Sequence, residues 1–372
     1  MTAGVGIRSL AVSFPTEVRD NAYFVAKDPA RFAAAQKKQP KLWAKPETES
    51  RSRLFDEEMA KYADDPFRGT VMRRTLAGGK SLDLEASASR QALAAAGLDV
   101  SDVDMMLVGS FMPDQVGVGN ATFLARALGY RGPAINFETA CSSSVVGLQL
   151  ATALVASGQQ RRVLVAISCD YTTHLEDSDS LSWFMGDGAG AFVVESVGEG
   201  YGVLGGKTIS TAETCGAFFY EEAAVDGAVQ FRMRADPAVN QVLRDTAEEF
   251  VRAAVDGAVS AAGVPLDAID FFVFNTPNAW YARFCARAIG VDPAKTISAY
   301  PLYANIGPAL MPANLHLAAS LGRIPPGARV LLYSVGSVST ASAVVMRWGD
   351  VALGPEPAPG LYARFASEFS DV

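Results

Sequence analysis

The fold is indicated by a stretch of sequence that occurs twice. ALAAAGLDVSDVDMMLVGS spans residues 92–110, and AVSAAGVPLDAIDFFVFNT spans residues 258–276. The second stretch begins 166 residues after the first and aligns with it without a gap. Each starts with the apolar spacing of an amphipathic helix, stops at a glycine (Gly97 or Gly263) and continues into an apolar strand. The repeat therefore predicts two α/β units with the same order of elements.

A second pair of segments follows at a similar offset. Residues 141–158 read CSSSVVGLQLATALVASG and residues 305–322 read NIGPALMPANLHLAASLG, and both are apolar stretches with helical character. Each is followed by a short apolar run that predicts a buried strand, at 161–168 and at 328–336. A repeat of this length is too long for a solenoid unit and predicts two homologous halves about a pseudo-twofold axis.

The repeats set the expected division of the chain. We expect an N-terminal half over residues 1–195 and a C-terminal half over residues 196–372. A charged segment at about 36–66 lacks apolar periodicity and predicts an insertion on the surface of the first half. The Pro/Gly-rich tail from Gly354 predicts an arm that lies on the surface.

The composition is that of a globular protein and excludes several classes. Of 372 residues, 49% are hydrophobic, and the net charge of −8 indicates partners other than nucleic acid or anionic membranes. We expect a cytoplasmic location, because there is no leader pattern and no apolar run long enough to cross a bilayer. Four distant cysteines indicate reduced thiols, of which three are interpreted as core residues or as cysteines without a role: Cys169, Cys215 and Cys285. Neither a metal nor a cofactor is expected, because no cluster of Cys, His and carboxylate residues occurs.

A glycine-rich run, GDGAGA at residues 186–191, superficially fits a dinucleotide-binding fingerprint. That fingerprint needs a strand, a loop and then a helix, whereas AFVVES after this run predicts a strand. We therefore interpret the small residues as allowing backbone to approach Cys141 closely.

Cys141 and Asn305 hold equivalent positions, each in the first turn of a duplicated apolar helix. In two pseudo-symmetric halves, the N-terminal ends of these helices are expected to meet near a shared centre. The positive end of a helix dipole lowers the pKa of a thiol, so Cys141 is predicted to be an activated nucleophile. Asn305 offers an amide donor to the same space.

The segment around Cys141, NFETACSSS at residues 136–144, resembles the nucleophile motif of thiolase-fold ketosynthases. The chain as a whole, from its N-terminal GIRSLAVSFPTEVRDN to Val345, resembles the ketoacyl-carrier-protein synthase III branch. Three further segments carry this resemblance in order: RGTVMRRTLAGG at 68–79, FVFNTPNAW at 272–280 and YANIGP at 303–308.

The resemblance implies a thiolase fold, in which the halves stack as a five-layered α-β-α-β-α sandwich, and a homodimer. It implies that Cys141 carries acyl groups taken from thioesters and that Asn305 is a second catalytic residue. By the same resemblance, a backbone N–H near Gly336 completes an oxyanion hole with that of Cys141. Four apolar side chains are expected to line the acyl pocket: Phe111, Trp183, Phe184 and Met185.

The third working residue of the family, a histidine, does not carry over. Where relatives read His-Gln-Ala-Asn, this chain reads Asn275-Thr-Pro-Asn. Asparagine cannot accept a proton near neutral pH, but the Asn275 amide is expected to donate to a developing oxyanion. His174 is a candidate for a replacement base, and Asp114, on a segment that reaches across the dimer in relatives, is a candidate for a carboxylate base supplied by the partner subunit. A solvated loop position is the alternative for each. His316 lies in an apolar helix and is interpreted as a hydrogen-bonded core histidine.

Donor recognition also departs from the family. Val71, Ala63 and Asp179 stand where relatives contact coenzyme A, which favours a carrier-protein thioester as the donor over acyl-coenzyme A. Arg283 and Arg287 are four residues apart on a predicted helix. They form either a basic face for docking an acidic carrier or ordinary solvated arginines.

These features favour an acyltransferase of secondary, polyketide-type metabolism such as antibiotic biosynthesis. Its acceptor is expected to be a non-malonyl small molecule or carrier-bound group, such as a hydroxyl, an amine or a β-ketoacyl chain. Two alternatives stay open. One is a carbon–carbon condensing enzyme that uses a malonyl or β-ketoacyl partner, and the other is a non-catalytic partner subunit of an active paralogue.

Overall fold

The structure is a computed structural model that describes residues 4–43, 53–176, 178–225, 227–337 and 339–369. The strands are β1 Gly4–Ser13, β2 Glu17–Asp20, β3 Met72–Thr75, β4 Met105–Phe111, β5 Ala134–Asn136, β6 Arg162–Cys169, β7 Gly188–Gly198, β8 Gly202–Ser210, β9 Phe218–Val225, β10 Ala228–Ala235, β11 Phe271–Phe274, β12 Arg329–Val335, β13 Thr340–Arg347 and β14 Ala352–Leu353. The α-helices are α1 Asn21–Lys27, α2 Pro29–Trp43, α3 Arg53–Ala60, α4 Ser81–Ala95, α5 Ala121–Leu128, α6 Ser143–Ala156, α7 Val239–Ala262, α8 Tyr281–Ala288, α9 Tyr300–Tyr303, α10 Leu310–Ser320 and α11 Leu361–Glu368.

Two sheets repeat the same strand arrangement. The first has the order β14-β1-β7-β6-β4-β5 and the second has the order β11-β12-β13-β8. In each sheet a parallel pair (β4 with β6, β11 with β12) is followed by two antiparallel pairings. The order β1-β7-β6-β4 thus matches β8-β13-β12-β11. This match confirms the prediction of two pseudo-symmetric α/β halves.

The helices complete five layers. α4 packs on one face of the first sheet, α6 and α10 lie between the two sheets, and α7 packs on the far face of the second. α10 is apolar and buried from Leu310 to Ala318, as expected of a helix with no face in solvent, whereas α6 is equally apolar but exposes Leu150. The repeated glycines end α4 and α7, with φ of 67° at Gly97 and 62° at Gly263. The predicted α-β-α-β-α sandwich is confirmed.

The glycine-rich run opens β7, as predicted, but its close neighbours are not those expected. A Cβ at Gly186 would lie 2.4 Å from the carbonyl oxygen of Tyr303, and a Cβ at Gly190 would lie 2.6 Å from Pro312. The run therefore lets the segment around Asn305 and α10 approach the first sheet. The interpretation that it serves the approach to Cys141 was wrong.

Two peripheral segments pack more deeply than their composition predicts. Within the insertion, α3 buries Phe55 against Trp280 with ring centroids 4.3 Å apart, so this helix covers the second half. In the tail, the Gly354 N–H donates to the Leu10 carbonyl at 2.8 Å, and α11 buries Leu361 and Phe365 in the core between the sheets. Neither α3 nor α11 is a loose surface element, and residues 44–52 of the predicted insertion lie outside the described residues.

The division of the chain at residue 195 stays a prediction, and β7 continues past it to Gly198. Within the described ranges, no helix has both the length and the apolar character needed to cross a bilayer.

Candidate active site

Cys141 lies on a strained turn that leads into α6. Ala140, just before it, has a φ of 52°, in the left-handed region that alanine rarely adopts. Residues Ala140–Ser142 form a 3₁₀ turn, and the Ser142 hydroxyl donates to the Thr139 carbonyl at 2.6 Å. Strain of this kind persists where the surrounding contacts fix it, often at functional sites.

Asn305 lies on a similar turn before α10. Ala304, just before it, has a φ of 59°. The Asn305 N–H donates to the Phe184 carbonyl at 2.9 Å, and its side-chain oxygen Oδ1 accepts from the Gly307 N–H at 2.9 Å. Because the 3₁₀ turn Gly307–Ala309 comes between, Asn305 precedes its helix rather than occupying the predicted first turn.

One cavity of about 690 Å³ is lined by both Cys141 and Asn305. Its lining is mostly apolar, which suits an acyl chain. Three of the four predicted pocket residues line it: Phe111, Phe184 and Met185. At another part of the wall, Asp56 and Arg244 form an ion pair at 3.5 Å, so the inserted helix α3 contributes to the same cavity.

Trp183 was wrongly predicted to line this pocket. Its ring packs against Phe67 at a centroid distance of 5.0 Å and within a cluster that includes Phe24. Its carbonyl accepts from the Arg73 guanidinium at 2.7 Å. Residues 180–183 form a 3₁₀ turn, in which neighbouring side chains point in different directions, so Trp183 and Phe184 separate.

Asn275 is fully buried and does not line the cavity. Its amide nitrogen Nδ2 donates to the carbonyl of Gly307 at 2.8 Å and to that of Cys141 at 3.3 Å. Within the described residues, its Oδ1 has no hydrogen-bond partner. The amide therefore ties together the two turns that carry Cys141 and Asn305, and the prediction that it donates to an oxyanion was wrong.

Comparisons with known proteins show to which family the chain belongs. The model described as "3-Oxoacyl-[acyl-carrier-protein (ACP)] synthase III" matches residues 135–212, and its C-terminal counterpart matches residues 259–348. The "Beta-ketoacyl-[acyl-carrier-protein] synthase III" of Rhodospirillum rubrum is 32% identical over 293 residues, covering 75% of this chain and 88% of the relative. The chain belongs to the 3-oxoacyl-[acyl-carrier-protein] synthase III family.

Other members and solved structures agree with this assignment. The protein of the same name from Rhizobium rhizogenes is 30% identical and covers 76% of this chain and 89% of its own length. The Pseudomonas aeruginosa synthase III structure has a TM-score of 0.76 at 20% identity, over 93% of this chain and 99% of that one. The Thermus thermophilus structure has a TM-score of 0.75 at 24% identity, over 92% and 99%. These structures support the thiolase fold.

The thiol of this synthase III family member is not activated in the way predicted. Burial raises the pKa of Cys141 to about 11, and the nearby Glu138 carboxylate raises it further. The Tyr171 hydroxyl, 3.8 Å from the sulfur, opposes this rise. Desolvation of the thiolate therefore acts against the lowering of the Cys141 pKa that is expected from the start of α6.

Gly336 does not offer its N–H to an oxyanion. This N–H donates to the Thr340 carbonyl at 2.7 Å. Only a residue without a side chain fits at position 336, since a Cβ at Gly336 would lie 2.3 Å from the carbonyl oxygen of Thr139. The predicted oxyanion-hole role is corrected to close packing beneath the Cys141 turn.

Within its own subunit, neither proposed replacement base reaches the cavity, and a base supplied by a partner subunit stays a prediction for Asp114. The His174 Nδ1 bonds to the Phe231 carbonyl at 2.9 Å, and the residue is not part of the cavity wall. The Asp114 carboxylate accepts from the Leu82 N–H at 2.8 Å, at the start of α4. His316 is a core residue as interpreted, bonded to the Tyr362 hydroxyl at 2.8 Å, and burial lowers its pKa.

The two predicted docking arginines are engaged within the chain. Arg287 donates to Glu58 at 2.6 Å and to Glu57 at 2.8 Å, both on α3. Arg283 lies 3.6 Å from Glu58 as well. The basic face of α8 is thus covered by acidic residues of the insertion, and the prediction that it is free for a carrier was wrong.

Sequence reasoning missed Tyr171, which lines the cavity beside Cys141. Its position was readable, because it comes two residues after β6, at the start of the loop that leads to the glycine-rich run. Its backbone N–H donates to the Asp187 carboxylate at 2.8 Å, and Asp187 also accepts from Leu76 at 2.7 Å. The aspartate of the glycine-rich run therefore fixes the Tyr171 turn.

Proposed function

We propose that this protein is an acyltransferase of secondary, polyketide-type metabolism. It captures an acyl group from a carrier-protein thioester on Cys141 and passes it to a non-malonyl acceptor. The single observation that carries the proposal is that Cys141 and Asn305 share one largely apolar cavity, while the Asn275 amide is bonded elsewhere. Cys141 and Asn305 are the proposed catalytic pair.

The reason for favouring a non-malonyl acceptor is the loss of the family's histidine and the engagement of the Asn275 amide with backbone carbonyls. Decarboxylation of a malonyl group develops an enolate oxygen, and losing one donor of this kind slows a reaction about 10²–10³-fold. Both histidines of the chain, His174 and His316, lie outside the described wall of the cavity. Acyl capture by a thiol and transfer to an acceptor that is already nucleophilic form no enolate, so they do not need a donor to an enolate oxygen.

The carrier-bound donor is supported by the residues at the positions named above. Val71, Ala63 and Asp179 lack the groups that contact coenzyme A in relatives. The paired arginines of α8 do not add to this support. A thioester panel that includes coenzyme A derivatives is therefore part of the test.

A second candidate is a carbon–carbon condensing enzyme. The observation that favours it is the similarity to proteins named beta-ketoacyl-[acyl-carrier-protein] synthase III, at 32% and 30% identity. Release of carbon dioxide from a malonyl carrier distinguishes it from the acyltransferase. The further alternative, a non-catalytic partner subunit, is disfavoured by retention of both Cys141 and Asn305.

We also propose a homodimer built on the β5 edge. β5 ends the first sheet, and Ile135 on it is 47% exposed, while Val116 and Val118 on the loop before α5 are each 62% exposed. Exposed apolar edge strands are normally covered by a partner. Light scattering on wild type and on Ile135→Lys checks this, with dimer mass expected for the first and a shift toward monomer for the second.

The function is tested by measuring intact protein mass after mixing with acyl-carrier and acyl-coenzyme A thioesters. Wild type is expected to gain the mass of one acyl group, and Cys141→Ala to gain none. Cys215→Ala, which alters an exposed cysteine, serves as the matched control and is expected to acylate normally. The isolated acyl-enzyme is then mixed with hydroxyl, amine and malonyl-carrier acceptors. Loss of the adduct only with malonyl carrier, with release of carbon dioxide, would favour condensation.

A further inference from the structure

The Tyr171 hydroxyl is the polar side-chain group next to the nucleophile. It lies 3.8 Å from the Cys141 sulfur, within the range of hydrogen bonds to sulfur, and Tyr171 is only 3% exposed. The same ring forms part of the cavity wall, so a substrate bound to Cys141 lies beside it.

The ring is held rigidly in this place. The Tyr171 N–H is bound by Asp187, and its carbonyl accepts from the His174 N–H at 3.0 Å. The Phe111 ring packs edge-on at a centroid distance of 5.4 Å. On the other side, a Cβ at Gly307 would lie 3.5 Å from the Tyr171 ring, so the Asn305 turn also borders it.

We propose that Tyr171 is a catalytic residue that relays a proton between the Cys141 sulfur and the acceptor. This inference rests on the proposed function, because it needs an acyl group on Cys141. In the transfer step, the acceptor X–H attacks the acyl carbon, the new X–C bond forms and the C–S bond to Cys141 breaks. The Tyr171 hydroxyl gives its proton to the departing sulfur and takes the proton of X–H, so that both groups end neutral.

The capture step runs through the same atoms in reverse. The Cys141 sulfur attacks the thioester carbon, and its proton passes to the Tyr171 oxygen. The proton of Tyr171 passes to the sulfur of the donor thiol as that C–S bond breaks. Burial raises the pKa of Tyr171 well above its usual value, so the tyrosine is protonated near neutral pH and has a proton to give as it takes another.

Other titratable side chains lie near Tyr171 and Cys141, and their contacts differ from those of the Tyr171 hydroxyl. Glu138 accepts from the Ala140 N–H, Asp170 accepts from the Thr173 N–H, and Asp187 holds the Tyr171 N–H. Cys169 is fully buried beneath Gly307. Tyr220 packs on Phe111, and within the described residues its hydroxyl has no hydrogen-bond partner.

Tyr220 therefore provides a matched control in the same aromatic cluster. Tyr171→Phe and Tyr220→Phe each remove one buried hydroxyl, and only the first touches Cys141. In single-turnover transfer from the preformed acyl-enzyme, Tyr171→Phe is expected to be slower than wild type by about 10²-fold. Tyr220→Phe is expected to stay within about twofold of wild type, because its hydroxyl contacts neither the sulfur nor the cavity.

A second measurement needs no substrate. Iodoacetamide alkylation of Cys141, followed against pH, reports the pKa of the thiol. Loss of the Tyr171 hydroxyl removes the contact that lowers this pKa, so the profile of Tyr171→Phe is expected to shift to higher pH while that of Tyr220→Phe does not. Thermal melting of both variants checks that they fold alike.

The outcomes separate the two proposals. Equal transfer rates for the two variants would overturn the relay, and an alkylation shift alone would leave Tyr171 as a neighbour of the thiol with no catalytic task. A wild-type protein that gains no acyl group from any thioester would overturn the acyltransferase proposal itself. The alkylation profiles would still decide whether Tyr171 contacts the Cys141 sulfur.

Discussion

The turn before α6 and the turn before α10 have similar backbones and different chemistry. In each, an alanine with positive φ (52° at Ala140, 59° at Ala304) precedes the polar residue, and a 3₁₀ turn leads into a buried helix. The Cys141 thiol has the Tyr171 hydroxyl as its polar side-chain contact. The Asn305 amide is instead oriented by a bond to Gly307. Duplication thus fixed where two side chains meet, and their local bonds decide what each can do.

A single side chain connects these two turns. Asn275 donates to Gly307 beside Asn305 and to Cys141 itself, so the halves are tied at the point where their helices begin. Ser334 donates to the Cys141 carbonyl as well, which leaves Gly307 more dependent on Asn275. Experiments can therefore separate three contributions to the site. These are the acidity of the Cys141 thiol, the Asn305 amide donor and the hydrogen bonds by which Asn275 connects the two turns.

The largest expected effect concerns the acidity of the thiol. Because burial raises the pKa of Cys141 to about 11, its thiolate fraction should rise about tenfold per pH unit at lower pH. Alkylation in a Cys215→Ser background should therefore increase roughly 300-fold from about pH 7 to about pH 9.5 without levelling off. Cys141→Ala in the same background gives the blank. A plateau near neutral pH would mean that the start of α6 outweighs desolvation.

The next largest effect is expected on the transfer rate when the Asn305 side-chain amide is changed. In Asn305→Asp, a carboxylate oxygen can still accept from the Gly307 N–H, but the amide donor is replaced by negative charge. Transfer from the acyl-enzyme should slow by about 10²–10³-fold. The rate is measured by the decay of the acyl-enzyme mass.

Asn278→Asp is the control for that change, since it places the same charge elsewhere on the cavity wall. It should transfer far faster than Asn305→Asp. Equal losses of transfer rate in the two variants would show that any negative charge in the cavity is enough to slow transfer. The proposed catalytic role of Asn305 would then be wrong.

Removing the hydrogen bonds by which Asn275 connects the two turns should lower the free energy of unfolding. Asn275→Ala leaves the buried Gly307 carbonyl without this donor, which typically costs about 1–3 kcal/mol in the free energy of unfolding. Urea denaturation measures this cost. Asn278→Ala, three residues away on the cavity wall, is expected to change stability much less. A loss as large in Asn278→Ala would indicate a general sensitivity of this segment.

The smallest effect concerns the inserted helix. Arg287→Met removes the bonds to Glu57 and Glu58, and because Arg287 is partly exposed the cost should be about 1 kcal/mol. Arg252→Met removes an exposed pair with Glu248 within α7 and should cost about 0.3 kcal/mol. Denaturation midpoints compare the two. No difference between them would mean that the ion pairs of Arg287 do not help to hold α3.

Periodicity and repetition determined much from the sequence alone. The offset repeat predicted the two halves and the layers, because a helix or strand with one apolar face must bury it, and two copies of one pattern bury it in the same way. The same repeat predicted that Cys141 and Asn305 meet. The core position of His316 followed from the apolar helix around it, and three pocket residues, Phe111, Phe184 and Met185, were expected from the family resemblance.

The tertiary structure decided what each polar group contacts. Asn275 bonds to two carbonyls far away in sequence, Arg287 is paired by a helix about 230 residues before it, and the Gly336 N–H is taken by Thr340. The pKa of Cys141 follows burial rather than the helix that begins beside it. Hydrogen bonds and desolvation depend on positions within a few tenths of an ångström, which no spacing along the chain encodes, and so the site's chemistry emerged only when the halves were packed together.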